Sequence, residues 1–450
     1  MPHSSVTPVP SKFAFSVTHR SVLAIAAPMT LAYLSTPLLG LVDMAVIGRL
    51  GDAALLGGIA IGGIIFDLAF TTFNFLRSGT TGLTAQALGA GNEREVRATL
   101  LRALVIALLS GLAVIFAQLP LKEFGLWFMG GSQDVQSATS RYFDVRVYSA
   151  PFLLANYAIL GWFIGLNKAG TGLLLQLVLN GLNIALSLWF VVGLGWSVEG
   201  VAFATVLSEI SATIFGLVLI FAATRNGSWP AAAIVFDRRL LLRMMAINRD
   251  IMIRSFTLLY AFAFFMARSA DQGDIVLAAN ALLEKFIMVA AFFLDGLATA
   301  AEQLAGRAVG AKHRPAFDRT LKLTALWSFA LAGLLAMLFW AFGPFMIDFM
   351  TTSPEVRQTA ATFLAWAVLT PLFGVLAFQM DGVFIGATWS STMRNMMLLS
   401  LVLYLAAYYA FFPYLGNHGL WLALLLFFGA RGFTMLAACQ KRAAETFKEG

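Results

Sequence analysis

The chain has 450 residues, 60% of them hydrophobic and only 12% charged, with a mean hydropathy of +0.82 and a formal net charge of +7. A soluble domain carries about 25% charged residues, and a soluble protein of this size lacks the core volume to hide so much apolar surface; the composition excludes that class and predicts an all-α polytopic membrane protein. One cysteine, Cys439, and four scattered histidines, His3, His19, His313 and His418, exclude a disulfide framework and a histidine- or cysteine-based metal or nucleophilic centre.

A bilayer-crossing helix needs about 20 apolar residues. Residues 1–20, with serine, proline and no acid, read as a cytoplasmic leader. Apolar runs then follow at 21–48, 54–88, 98–120, 141–166, 171–194 and 199–223, which make an N-lobe over 21–223. A basic, polar linker spans 224–248. Six more runs, 249–269, 275–309, 318–346, 358–386, 393–413 and 418–438, make a C-lobe over 249–440, with a tail at 441–450. Alternating the segments across the membrane places 20 Lys and Arg on one side and 6 on the other. The positive-inside rule then puts both termini in the cytoplasm, and explains the net charge without a nucleic-acid partner.

The two lobes resemble one another at an offset of 221. "GAGNE" (89–93) falls on "GAKHR" (310–314), "GWFIGLN" (161–167) on "GVFIGAT" (382–388), and "DAALLGGIA" (52–60) on "GDIVLAANA" (273–281). Six spans separate equivalent positions, so the repeat is parallel, an architecture of secondary transporters with the ligand site between or within the lobes.

Acids within a span cost roughly 2.5–3.5 kcal/mol each and are functional candidates by default. Asp43 in the first span has no basic residue within five positions. It lies about 22 residues past the start of its helix, a climb of ~33 Å. Pro28 and Pro37 precede it, and each removes a backbone hydrogen bond, so that this helix is expected to bend. In the fifth span Asn180, Asn183 and Ser187 share one face, and Thr205 of the sixth is placed to join them. Amides and hydroxyls around a carboxylate can hold a proton or a small cation.

The eighth span carries Glu284, Asp295 and Glu302, spaced by 11 and 7 residues and hence on one stripe. Asp381 adds a fourth acid on the tenth. Arg307 and Arg394 are expected to form a gate network with Glu302, and Lys285 to meet an acid of another helix. Asp67 and Arg77 read as helix-packing ion-pair members. The runs "FAFFMA" (262–267) and "AAFFLDG" (290–296) are candidates to wall an apolar cavity. Gly58 and Gly62 read as close helix packing.

Several of these stretches carry a family resemblance. "PLLGLVDMAVIGRLG" (37–51), "FLRSGTTGLTAQALGAGN" (75–92), "LNGLNIALSLWFVVGLGWSVEGVAFATV" (179–206), "DGVFIGATWSSTMRNMM" (381–397) and "NHGLWLALLLFFGARG" (417–432) resemble the multidrug and toxic compound extrusion (MATE) family, and within it the bacterial DinF-like branch. The resemblance covers residues 20–440. It implies twelve helices in two lobes forming a V, and export of organic, often cationic compounds in exchange for protons or sodium. It assigns the N-lobe coupling site to Asp43 with Asn183 and Thr205, and the bend to Pro28. Where archaeal-type members carry a second aspartate, this chain has Ser187, which favours a proton over a bare sodium ion. Asp381 matches an aspartate of the C-lobe sodium site of NorM-like members. The seventh-helix glutamate of that site has no counterpart in "IRSFTLLYAFAFFMA" (253–267), which leaves Glu284 or Asp295 as substitutes and any sodium near Asp295 and Asp381.

The expected protein is therefore a monomeric, proton-coupled antiporter of the inner membrane for small organic substrates, with no cofactor and no enzymatic activity. Rival readings are a sodium-coupled version, a flippase of lipid-linked precursors, which calls for basic cavity walls, and an integral-membrane transferase, which calls for clustered aspartates holding Mg²⁺.

Overall fold

The structure is a computed structural model that describes residues 15–225 and 228–448. The expected leader over 1–20 lies outside the described residues as far as residue 14. Twelve helices are long and apolar enough to span a membrane: α1 (His19–Gly48), α2 (Ala53–Gly89), α3 (Glu93–Phe116), α4 (Gln133–Gly165), α5 (Ala169–Gly193), α6 (Val198–Thr224), α7 (Ala232–Ala270), α8 (Asp274–Gly310), α9 (Arg314–Met350), α10 (Pro354–Gly386), α11 (Ser390–Leu415) and α12 (Asn417–Lys448). All twelve expected spans are present, and no strand occurs among the described residues.

The helices run past the apolar runs that announced them. α4 begins at Gln133 rather than 141, and α12 continues to Lys448 rather than 438. Helical backbone satisfies its own hydrogen bonds in water as well as in lipid, so hydropathy marks the apolar slab and not the helix ends. The stretch expected as a linker is largely helical. After the short turn Ala232–Val235, Asp237 caps the helix Arg238–Ala270 by accepting from the Leu240 N–H at 3.0 Å. Beyond α3, residues Gln118–Met129 form a separate helix that exposes Phe124, Trp127 and Phe128.

The repeat is carried by turns. Left-handed backbone occurs at Gly91 and Lys312, at Asn167 and Thr388, and at Gly195 and Gly416. Each pair is separated by the same 221 positions. The turn bonds repeat as well: Asn92 N–H donates to Ala87 O at 2.9 Å and His313 N–H to Ala308 O at 3.0 Å, while Lys168 donates to Phe163 O and Trp389 to Phe384 O, both at 2.9 Å. Lys312, Asn167 and Thr388 adopt a conformation that disfavours side chains. The backbone path is therefore what the two halves share.

The halves pack through α1 on α8 and through α2 on α8 and α10. Glycines allow the approach at this junction. A Cβ on Gly89 would run into the Arg307 carbonyl, and one on Gly310 into the Gln86 carbonyl. Gln86 and Arg307 are themselves repeat mates, so α2 and α8 cross about a pseudo-twofold axis. Within the N-terminal half, Gly58 and Gly62 give way to Ala138 and Tyr142 of α4, the close packing expected of them. Gly310→Val is expected to lower the unfolding midpoint in detergent through about 1–3 kcal/mol of overpacking. Gly333→Val, with open space around its Cβ, is the control. Equal midpoints would refute the junction as the close contact.

Polar contacts between the halves gather toward one end. Gln86 Nε2 donates to Gly386 O at 2.9 Å and to Thr388 Oγ1 at 3.0 Å, Gln303 Nε2 to Gly165 O at 3.4 Å, and Tyr33 and Thr299 share a hydroxyl bond of 2.9 Å. Arg77 meets Glu302 at 3.6 Å. All lie on the side of the membrane where the Lys- and Arg-rich loops emerge, or at mid-depth. Among the described residues no hydrogen bond or ion pair joins the halves on the other side. The halves are joined toward the basic face.

Candidate functional site

In the N-terminal half the expected polar residues converge. Asp43 is buried on α1, and Ser187 Oγ of α5 donates to its Oδ1 at 3.0 Å. One turn deeper, Asn183 Nδ2 donates to Thr205 Oγ1 at 3.1 Å and to Ser208 Oγ at 3.4 Å on α6. The Asn183 Oδ1 is buried with no partner. Asn180 Nδ2 reaches Ser35 Oγ on α1 at 2.6 Å. The i, i+3, i+7 spacing in α5 is what points all three side chains at α1 and α6. Directly after Ser187 the helix widens into a π-helical turn, Leu188–Gly193, a device frequent at functional sites. α1 itself remains one helix from His19 to Gly48 across Pro28 and Pro37.

Two further residues of this half escaped the sequence reading. Arg146 of α4 donates to the Tyr142 hydroxyl, lies 4.7 Å over the Phe66 ring, and is in electrostatic range of Asp43 and Asp67. Glu209 of α6 is buried, and among the described residues its polar side-chain partner is a neutral amide, Asn156 Nδ2, at 2.6 Å. As a lone acid in an apolar span it carried the same signal as Asp43. Asp67 is exposed and forms no ion pair among the described residues.

The C-terminal half differs from expectation. Asp381 Oδ2 accepts from Arg254 of α7 at 2.6 Å and from Arg431 of α12, and the latter is 1% exposed. Two guanidiniums on one carboxylate leave no negative charge for a bare sodium ion, and this corrects the placement of sodium beside Asp381. The segment that lacks the family's glutamate supplies Arg254 instead, a charge of the opposite sign. Among the described residues no three His, Cys, Asp or Glu side chains come together.

The expected gate network is also rearranged. Glu302 pairs across the junction with Arg77; Arg307 stacks 4.1 Å over Phe15, and Arg394 binds Asp250 at 2.7 Å. Geometry decides this. Arg307 lies one turn past Glu302 toward the basic face, where Phe15 covers it. Lys285 is exposed, with Met288 Sδ at 3.9 Å as its contact and, among the described residues, no ion pair to an acid of another helix. Glu284 and Asp295 are half-buried, so the acid stripe runs from accessible to buried at Glu302. The Asp295 carboxylate forms no hydrogen bond or ion pair among the described residues, yet lies in electrostatic range of Arg77, Arg254, Asp381 and Arg431. Of the "FAFFMA" aromatics, Phe265 is buried and packs edge-on against Trp421 at 4.9 Å, and the half-buried Phe264 packs against Tyr408 at 5.0 Å, both on the core of this half.

Comparison with known proteins decides the family. The MatE family model matches residues 28–189 and 251–409. The DNA damage-inducible protein F of Escherichia coli is 36% identical over 421 residues, covering 92% of this chain and 90% of that protein. The chain belongs to the MatE family. Its two matched segments cover α1 to α5 and α7 to α11 in the main, and the resemblance to the DinF-like branch holds over nearly its whole length. The chloroplastic Protein DETOXIFICATION 44 of Arabidopsis thaliana is 26% identical over 91% of the chain and 80% of that protein. Among solved MatE folds, an outward-facing multidrug resistance MATE family transporter superposes with a TM-score of 0.81 at 20% identity, over 96% of this chain and 97% of that one.

Proposed function

We propose that this chain is a secondary antiporter of the cytoplasmic membrane, exporting small organic, amphipathic compounds in exchange for protons by alternating access. The observation that carries the reading is Asp43, a buried intramembrane carboxylate whose hydrogen-bond partner is a neutral hydroxyl. An acid so placed can gain and lose a proton without breaking an ion pair. Support for export comes from the family and from the solved neighbour described as a multidrug resistance transporter.

The basic face is read as cytoplasmic on the positive-inside rule, with both termini there. The joined end then lies inward, as suits the state in which substrate leaves to the outside and a proton enters. Proton loading of Asp43 biases α1, with its prolines, toward the bent form, and return to the inward state requires parting Arg77 from Glu302. A proton that bound both states equally would shift nothing, so the Asp43 environment must differ between them. Sodium is the less supported ion, because Ser187 stands where a second carboxylate would be and Asp381 is neutralised.

Purified protein in liposomes, challenged with ethidium under a pH gradient or a sodium gradient applied separately, is expected to transport under the pH gradient alone. Transport that needs sodium and ignores pH would reverse the coupling assignment.

A further inference from the structure

The charged cluster between the halves is larger than a coupling site needs. Three guanidiniums, Arg77, Arg254 and Arg431, face three carboxylates, Asp295, Glu302 and Asp381. Glu302 is taken by Arg77, and Asp381 by Arg431. Arg254 also leans on Asp381, but through Nη2 alone. Its Nε is buried with no acceptor, and 17% of its side chain stays exposed. Behind it, Arg431, whose side chain is 1% exposed, leaves Nε and Nη1 without acceptors. Two acceptors are left over as well, Asp381 Oδ1 and Glu302 Oε1. The remaining acid, Asp295, is half-buried and has no ion pair among the described residues, although Arg254 is within electrostatic range. A guanidinium on α7 with a free Nε and a partly exposed side chain thus shares one charged cluster with an unpaired carboxylate on α8, and the two do not satisfy each other.

Unpaired buried donors are costly, and a guanidinium with free N–H groups is a fitted partner for a carboxylate or sulfonate. We propose that Arg254 and Asp295 form a head-group site for a zwitterion, with the ligand's anionic group on Arg254 and its ammonium or amidinium on Asp295. The inference rests on the export reading, and it names the substrate class as zwitterionic amphipaths rather than simple cations. It also separates tasks. The proton is held on Asp43 in one half and the substrate head in the other, so that coupling passes through the conformational change and not through direct competition for one carboxylate. The simpler role of bracing Asp381 accounts for Arg431, which is wholly enclosed. It does not account for the exposed edge of Arg254 or for the unpaired Asp295.

The test measures binding to the purified full chain by fluorescence anisotropy, with no ion gradient. Three probes share one ring system: a rhodamine with a free carboxylate (zwitterion), its methyl ester (cation), and fluorescein (anion). The zwitterion is expected to bind at least about tenfold tighter than either of the others. Arg254→Gln should bring it down to the affinity of the ester while leaving the ester unchanged, and Asp295→Asn should weaken the zwitterion and the ester but not fluorescein. An ester that binds as tightly as the zwitterion would overturn the proposal, as would variants that weaken all three probes alike. If Arg254→Gln does not fold, the wild-type comparison and Asp295→Asn still decide. Because the readout is binding alone, a failure of proton coupling in liposomes leaves this result standing, and the reverse also holds.

Discussion

Asp43→Asn is expected to abolish substrate exchange driven by a pH gradient, down to the level of empty liposomes, while the protein folds as well as the parent. Asparagine keeps the size of the side chain and an oxygen that can accept from Ser187 Oγ at the same 3.0 Å. What it loses is the capacity to alternate between charged and neutral forms. The stability half of the expectation follows from the surroundings. Among the described residues Asp43 has no cation within ion-pair distance, and the guanidinium in electrostatic range of it, Arg146, is engaged with Tyr142 and the Phe66 ring. Removing an uncompensated buried charge is neutral or stabilising. The unfolding midpoint in detergent should therefore stay level or rise as transport disappears. Transport that survives with its pH dependence intact would strip Asp43 of the coupling role. Glu209, buried against Asn156 in the same half, would be the next residue to substitute.

Much of this architecture was legible in sequence because its determinants are local. An apolar run announces a span by itself. The repeat was readable at 89–93 and 310–314 because a turn with left-handed backbone at Gly91 and Lys312 constrains the residues around it. The Asp43 network was readable for the same reason: Asn180, Asn183 and Ser187 announce one face of α5, and that face has to point at something polar. What stayed hidden were choices of partner. Arg254 and Asp381 are 127 positions apart and Arg431 and Asp381 are 50 apart, and nothing along the chain says which guanidinium a buried acid receives. Arg254 and Arg146 lie near the starts of their apolar runs, where a basic residue reads as belonging to the membrane surface, although their side chains enter the membrane-spanning bundle. Glu209 was not hidden in this way. It satisfied the rule that singled out Asp43.

Asp381→Asn should have the opposite outcome to Asp43→Asn, with folding lost before transport can be assessed. The acid is the shared anion of Arg254 and Arg431, and among the described residues Arg431 has no other acceptor. Breaking a buried ion pair from one side leaves an uncompensated charge and costs about 3–5 kcal/mol. Here two cations would face each other with nothing between them, which puts the cost at the upper end of that range. The measurement is the thermal midpoint in detergent, with Asp295→Asn in parallel as a substitution of an acid that braces nothing and should shift the midpoint little. The double variant Asp381→Asn/Arg431→Met is expected to regain most of the loss, because methionine fills similar volume without charge and Arg254 can turn its exposed edge to water. If Asp381→Asn melts with the parent, the two guanidiniums do not depend on this carboxylate. Asp381 would then have to be neutral when buried, and it would return as a carrier of the coupling ion rather than the brace of the C-terminal half.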